Sequence, residues 1–221
     1  MWWWCGRVGC GPERRDDGRA RAAAVAIATA TLLAACSATK PPQRIDDACS
    51  IFREKKGWYE EALRAKQRWG VPIPVQLAFV HQESSFDGDA KPARRWYLGF
   101  IPGGRPSNAQ GYAQALESTW NEYRKATGAG GADRDEFGDA VDFIGWYNAR
   151  SSEMCGIPRD DAYRLYLAYH EGPNGYRRGT HRRKAWLLGT AQRVQKRAAR
   201  YQSQLAGCED ELQPRKRGWF F

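Results

Sequence analysis

Three observations predict a mainly α domain with at most a small β-hairpin. Apolar residues recur at spacings of three and four over most of the chain, and clusters of Gly and Pro separate these periodic stretches. One irregular stretch, 87–110, carries a short aromatic run suited to a strand pair. At 221 residues the chain is long enough for one domain with a full core, and no linker or repeat of fixed period divides it.

The elements follow in order. Ala22 to Ala35 is a short apolar run, preceded by Arg14, Arg15, Arg19 and Arg21 and closed by Leu33-Ala34-Ala35-Cys36. At about fourteen residues it falls well short of the ~20 that a spanning helix needs, and it reads as a secretory signal. Trp2-Trp3-Trp4, Asp16 and Asp17 suit such a signal poorly, so its start is not fixed by Met1. Leu-Ala-Ala-Cys resembles the bacterial lipobox, which implies cleavage before Cys36 and a lipid on its sulfur. Ser37 follows where an Asp would favour the inner membrane, so the expectation is an outer-membrane lipoprotein facing the periplasm.

Pro41 and Pro42 mark a short tether, and Asp46 to Trp69 reads as one helix, capped by Asp46 and Asp47 and stopped by Gly70 and Pro72. Trp58, Tyr59, Ala62, Leu63 and Trp69 recur along it as core positions. Pro74 opens a second helix, and Val75-Gln76-Leu77-Ala78-Phe79-Val80 is apolar nearly all round, as expected of a helix buried on most sides. Phe79, Glu83 and Phe86 share one face. A carboxyl group is thereby carried into apolar surroundings at a helix C-terminus, where desolvation and the negative helix end both favour its protonated form.

Within 87–110, Trp96-Tyr97-Leu98-Gly99-Phe100-Ile101 reads as a strand or hairpin whose aromatics either pin the loop to the body or offer a stacking surface. Ala115 to Thr127, Asp133 to Met154, Asp160 to Tyr169 and Lys184 to Leu205 are further helices, separated by Gly128-Ala129-Gly130-Gly131 and Gly156-Ile157-Pro158. The resulting plan is 1–35 signal peptide, 36–48 lipidated tether, 49–208 folded domain and 209–221 basic, aromatic tail.

The formal charge is +10, falling to +8 once the five Arg and three acids of the leader are removed. Such a chain seeks acidic partners. No nucleic-acid motif accompanies the charge, so nucleic acid is excluded as a partner, whereas lipid head groups and peptide carboxylates are the acids of an envelope. Basic residues around Arg177 to Lys184, and Pro214-Arg215-Lys216-Arg217-Gly218-Trp219-Phe220-Phe221, are candidates for such contacts. Cys49, Cys155 and Cys208 remain after the leader and the lipidated Cys36. An exported location permits a disulfide. Spacing alone does not fix its connectivity; Cys49 with Cys208 would clasp the first helix to the last, leaving Cys155 free.

Three segments carry the chemistry: His81-Gln82-Glu83-Ser84-Ser85-Phe86, Gly111-Tyr112-Ala113-Gln114 and Ala168-Tyr169-His170-Glu171-Gly172-Pro173. Together they resemble the Glu-Ser, Gly-Leu-Met-Gln and Ala-Tyr-Asn-Ala-Gly motifs of the soluble lytic transglycosylase family, relatives of goose-type lysozyme, in the family's order over about Pro72 to Tyr176. The resemblance implies a lysozyme-like helical fold that acts on glycan strands of peptidoglycan; the oligomeric expectation, a monomer, does not come from it. It implies cleavage of the β-1,4 bond between N-acetylmuramic acid and N-acetylglucosamine with closure of a 1,6-anhydro end. Glu83 would be catalytic, acting as acid and then as base. Ser84 would contact substrate or orient Glu83, Gln114 would offer its amide to the sugar, and Tyr169 would hydrogen-bond Glu83.

The chain departs from the pattern at four positions. Tyr112 and Ala113 replace Leu and Met, reshaping the floor of the sugar site and adding a ring for stacking. His170 and Glu171 replace Asn and Ala. Glu171 is either a second carboxylate, which would permit hydrolysis by a muramidase, or the partner of one of Arg177, Arg178, Arg182 and Arg183; the ion pair is the expectation. A catalytically inactive wall-binding lipoprotein is the remaining alternative. His81, His170 and His181 lack metal-ligand spacing, and neither metal nor cofactor is expected.

Overall fold

The structure, a computed structural model, describes residues 40–93, 96–97, 101–102, 104 and 107–213. The expectations placed on the leader, on Cys36 and on the end of the tail lie outside the described residues. Among those described, the fold is mainly helical with one minimal strand pair, and no helix is long and apolar enough to cross a membrane.

The stretch expected as one helix from Asp46 is two. Helix α1 is Ala48–Glu54, capped by the Asp47 carboxylate, which accepts from the Ser50 N–H at 3.0 Å. Helix α2 is Trp58–Trp69. Gly57 between them sits at φ 93, a left-handed conformation that ends one helical path and starts another. Helix α3, Ile73–Ser84, begins behind Pro72 and buries Leu77, Ala78, Phe79 and Val80 completely, as its apolar sequence predicts.

A two-residue antiparallel pair, β1 (Trp96–Tyr97) with β2 (Ile101–Pro102), is the hairpin of the irregular stretch. Helix α4 is Glu117–Thr127 and α5 is Phe137–Cys155, each ending on a left-handed glycine, Gly128 and Gly156. Helix α6, Ala162–Arg177, outruns the expected end at Tyr169 because it kinks at Gly172 (φ 71, ψ 155) and resumes at Pro173, a residue suited to a first helical turn. A 3-10 turn, Thr180–Arg183, leads into α7 (Ala185–Leu205), and α8 (Glu209–Leu212) follows.

Four pairings build the core: α2 along α5, α3 along α7, and α6 against both α5 and α7. The α2–α5 approach is close enough that a Cβ on Gly145 would stand 2.6 Å from the Trp69 ring. Trp58 stacks on Phe137 with centroids 3.8 Å apart and also meets Tyr112 and Phe86, so the aromatic centre lies directly beneath the C-terminal end of α3. Among the described residues the first helix is fastened to the C-terminal end of α7. Cys49 is bonded to Cys208 across a Cα–Cα distance of 6.2 Å, Ala48 N–H donates to Gln204 Oε1, and Cys155 is a free thiol.

Candidate active site

Glu83 and Ser84 close α3, and the chain then takes two consecutive left-handed steps, Ser85 at φ 54 and Phe86 at φ 63. Such conformations strain non-glycine residues, and here packing holds them: Phe86 is fully buried against Trp58 and the His81 ring. Gln114 at φ 45 completes the set of non-glycine residues with positive φ among the described residues, so all three fall in the first two motifs.

The second motif is laced down by its backbone. Gly111 N–H donates to Ala90 O and Tyr112 N–H to Arg134 O. A Cβ on Gly111 would stand 1.9 Å from that same Arg134 oxygen, so only glycine fits there. Tyr169, from α6, reaches over this loop and donates its hydroxyl to Ala113 O at 2.6 Å, while its ring meets Phe79 and Tyr147 edge-on.

Glu83 is the candidate acid of the site. Burial pushes its carboxyl up to about 7, against a hydrogen bond from Tyr166 that favours the ionised form. The Tyr166 phenol is itself raised, first by burial and then by the Glu83 charge. The expectation that Tyr169 bonds Glu83 is therefore corrected: that phenol is engaged by Ala113, and Tyr166 holds the carboxyl. Tyr169 remains within electrostatic reach of Glu83. Tyr166 was missed because it stands outside the motif, yet it lies three residues before Tyr169 and so on the same helical face.

Other expected residues fall into place differently. Ser84 Oγ donates back to Val80 O at 3.1 Å, which leaves it acceptor capacity towards the site. Both N–H groups of Gln114 are taken by main-chain oxygens, Ala90 O and Gly111 O at 2.9 Å each, so the side chain offers its carbonyl oxygen rather than its amide donors. Tyr112 is not a stacking ring: it is 1% exposed, wedged edge-on between Trp58 and Phe137. Aromatic packing under the loop draws it inwards.

Glu171 is an ion-pair partner, but of Lys184 rather than of an arginine. Its Oε1 meets Lys184 Nζ at 2.6 Å and His170 Nδ1 at 3.0 Å, and Thr180 donates its hydroxyl to Oε2. Burial acts to raise this carboxyl, but the bonds from Lys184, Thr180 and His170 prevail and hold it at about 2. After the kink at Gly172 the chain comes back over Glu171 with Thr180 and Lys184, which are the residues that reach the carboxylate.

His81 is likewise structural. Tyr201 donates to Ile45 O and therefore accepts from His81 Nδ1 at 2.6 Å, which fixes the proton on that nitrogen. Burial lowers the imidazole to about 4, so it is neutral at ordinary pH.

A cavity of about 270 Å³ opens between the second and third motifs, lined by Gln114, Leu116, Tyr147, Tyr169, His170 and Glu171 among others. A larger one, about 480 Å³, lies on the α2–α5 side, where Asp142 is already engaged by Arg68, Trp69 and Tyr123. Tyr169 relates the smaller cavity to Glu83: it lines that cavity and its phenol lies within electrostatic reach of the Glu83 carboxyl, which is not itself a lining residue. One protonated carboxyl beside a polar, aromatic cleft can deliver a proton to a leaving oxygen and take one back.

A family model described as the transglycosylase SLT domain matches residues 24–208. Among curated proteins none matches the chain.

Proposed function

The chain belongs to the transglycosylase SLT domain family, and from that premise we propose that it is a peptidoglycan lytic transglycosylase with Glu83 as its single acid and base. The observation that carries the reading is the Glu83 carboxyl, held near 7 by burial and positioned by Tyr166. At neutral pH such a group is populated in both protonation states, as a residue must be to act as acid and then as base.

In this scheme Glu83 protonates the glycosidic oxygen between muramyl C1 and the next sugar, and the C1–O bond breaks as the substrate's own N-acetyl oxygen closes on C1. Glu83, now a carboxylate, takes the proton from the muramyl 6-hydroxyl. That oxygen displaces the N-acetyl oxygen at C1, giving the 1,6-anhydro end and restoring the acid. No water enters. In this reading the Gln114 carbonyl accepts from a sugar hydroxyl or N-acetyl N–H, and Ser84 Oγ accepts from another hydroxyl.

Glu171 bears on the hydrolytic alternative. A water-activating base must be free to take a proton, whereas Glu171 is held at about 2 by Lys184, Thr180 and His170. This favours the transglycosylase over a muramidase. The location follows the same reading: Cys36 carries the lipid, and the domain works from the outer membrane into the periplasm. Replacing Cys36 with Ala would then move the protein from the membrane to the soluble periplasmic fraction; retention in the membrane would refute that location.

The deciding experiment is mass spectrometry of fragments released from purified peptidoglycan by the protein and by its Glu83→Gln variant. Anhydro ends from the former and none from the latter are expected. Hydrated ends would transfer the assignment to a muramidase, and no release by a folded, wall-bound protein would make it an inactive anchor.

A further inference from the structure

Helix α7 carries Trp186, Thr190, Arg193, Arg197 and Arg200 at successive spacings of four and three, hence along one stripe. Contacts fix where the stripe lies. The Trp186 ring stands edge-on to His170 at 5.0 Å, Arg193 is close enough to Tyr166 to act on its phenol, and Arg197 Nη1 lies 3.4 Å from Gln82 Oε1. His170 belongs to the third motif, Tyr166 holds Glu83, and Gln82 precedes Glu83. The stripe therefore borders the candidate active site along its length.

Its charge is poorly matched inside the protein. Among the described residues the carboxylate that meets these guanidiniums is Asp46, and it bonds Arg200 at 3.0 Å. Arg197 is half-buried, and its contact with Gln82 is long and with a neutral amide. Burial depresses its guanidinium; Tyr201 and Asp46 act the other way, and Arg200 and Arg193 add like-charge repulsion. Arg193 is exposed and is laid along the helix by donation to Thr190 Oγ1 at 2.8 Å. Two cations on successive turns, about 6 Å apart at Cβ, thus face the rim with unused donors.

The position constrains what they meet. Burial and the Tyr166 bond set the Glu83 carboxyl, so the guanidiniums stand far enough away not to force it into its ionised form. They act on a part of the substrate away from the broken bond. A planar guanidinium favours two parallel bonds to a carboxylate, and a desolvated one favours it more.

We propose that Arg193 and Arg197 form a carboxylate-binding site on the rim of the cleft, which takes the peptide carboxylates borne by the glycan and so selects peptide-bearing strands over bare ones. The proposal rests on the glycan-cleaving reading above, and its test separates the two.

Binding is measured with the full chain in detergent, carrying Glu83→Gln so that strands are bound and not cut. The probes are peptidoglycan strands with their peptides and the same strands stripped of peptides by an amidase. A preference of roughly tenfold for the peptide-bearing strands is expected, collapsing towards one in an Arg193→Gln, Arg197→Gln double variant and partly restored by Arg197→Lys. High salt should erase the same preference. Thermal melting checks that the variants fold; if the double variant melts early, the single Arg193→Gln change, at an exposed residue, carries the test. Equal weakening towards both probes, no preference in the parent protein, or an effect seen only as lost binding to anionic vesicles would each overturn the proposal. Failure of the unmodified protein to cut either probe would instead refute the activity, while the binding preference would still be read directly.

Discussion

The Tyr169 hydroxyl donates to the Ala113 carbonyl at 2.6 Å, so the third motif is fastened to the second through a main-chain atom rather than through the Glu83 carboxyl. Ala113 is 1% exposed, and its oxygen has little access to water. Tyr169→Phe should leave that acceptor unsatisfied at a cost of about 1–3 kcal/mol and loosen the loop at 111–114. The kinetic signature is a raised KM with an unchanged pH profile; a shifted profile would mean that Tyr169 acts on Glu83 directly.

Tyr166→Phe should do the reverse. The Tyr166 bond lowers the Glu83 carboxyl, so its loss raises it further. The alkaline limb of the rate profile then moves to higher pH, and kcat falls about tenfold. A profile identical to that of the parent protein would remove Tyr166 from the mechanism.

Glu83→Gln should abolish cleavage and stabilise the fold. The folded carboxyl sits at about 7 against an ordinary value of 4.5, so between those values the folded state holds a proton that the unfolded chain releases. Stability conferred by the protonated acid is complete below about 4.5 and is lost as pH rises towards 7. The variant lacks that loss, and its advantage should grow over this window to on the order of 2 kcal/mol. Melting temperatures of both proteins across the window test it; parallel curves would show a Glu83 that is not desolvated.

For Glu171 the sign is opposite. Its folded carboxyl is at about 2, so its stabilising effect is present above the unfolded value and disappears as pH falls through 2. Glu171→Gln should cost about 2 kcal/mol at neutral pH, since it removes the charge that faces Lys184 and one of the two oxygens that accept from Lys184 and Thr180, yet leave any products anhydro-ended. A switch in product type would make Glu171 a participant in the chemistry.

Cys49→Ser with Cys208→Ser should lower the melting temperature by roughly 10 °C, because a closed loop of this size contributes about 3–5 kcal/mol. An unchanged melting temperature would show that α1 and α7 are held by their side-chain bonds alone.

Helix α3 was legible because it is apolar all round, and a strand of that length would have broken at Pro72 and Pro74. The division of α1 from α2 was not, since Lys55-Lys56-Gly57 is polar and a lone glycine is tolerated in a helix. Motif order put Glu83, Gln114 and Tyr169 forward as candidates, but not their hydrogen bonds. Side-chain direction depends on neighbours from elsewhere in the chain: Trp58 and Phe137 draw Tyr112 inwards, and Ala90, distant in sequence, takes the Gln114 amide. The Lys184 partner of Glu171 was hidden by a kink that helical periodicity does not anticipate.

The clasp between Cys49 and Cys208 joins residues 159 apart, and α3 finds its long partner only in α7. A ribosome that has finished α3 must add roughly another hundred residues before α7 exists, an interval of about 5–20 seconds. Throughout that time α3 has only its lesser neighbours α2, α5 and α6 to pack against, and the face that α7 covers stays open. The nascent protein is thus kept open, available to a chaperone or a translocation pore, until its last helices have been made.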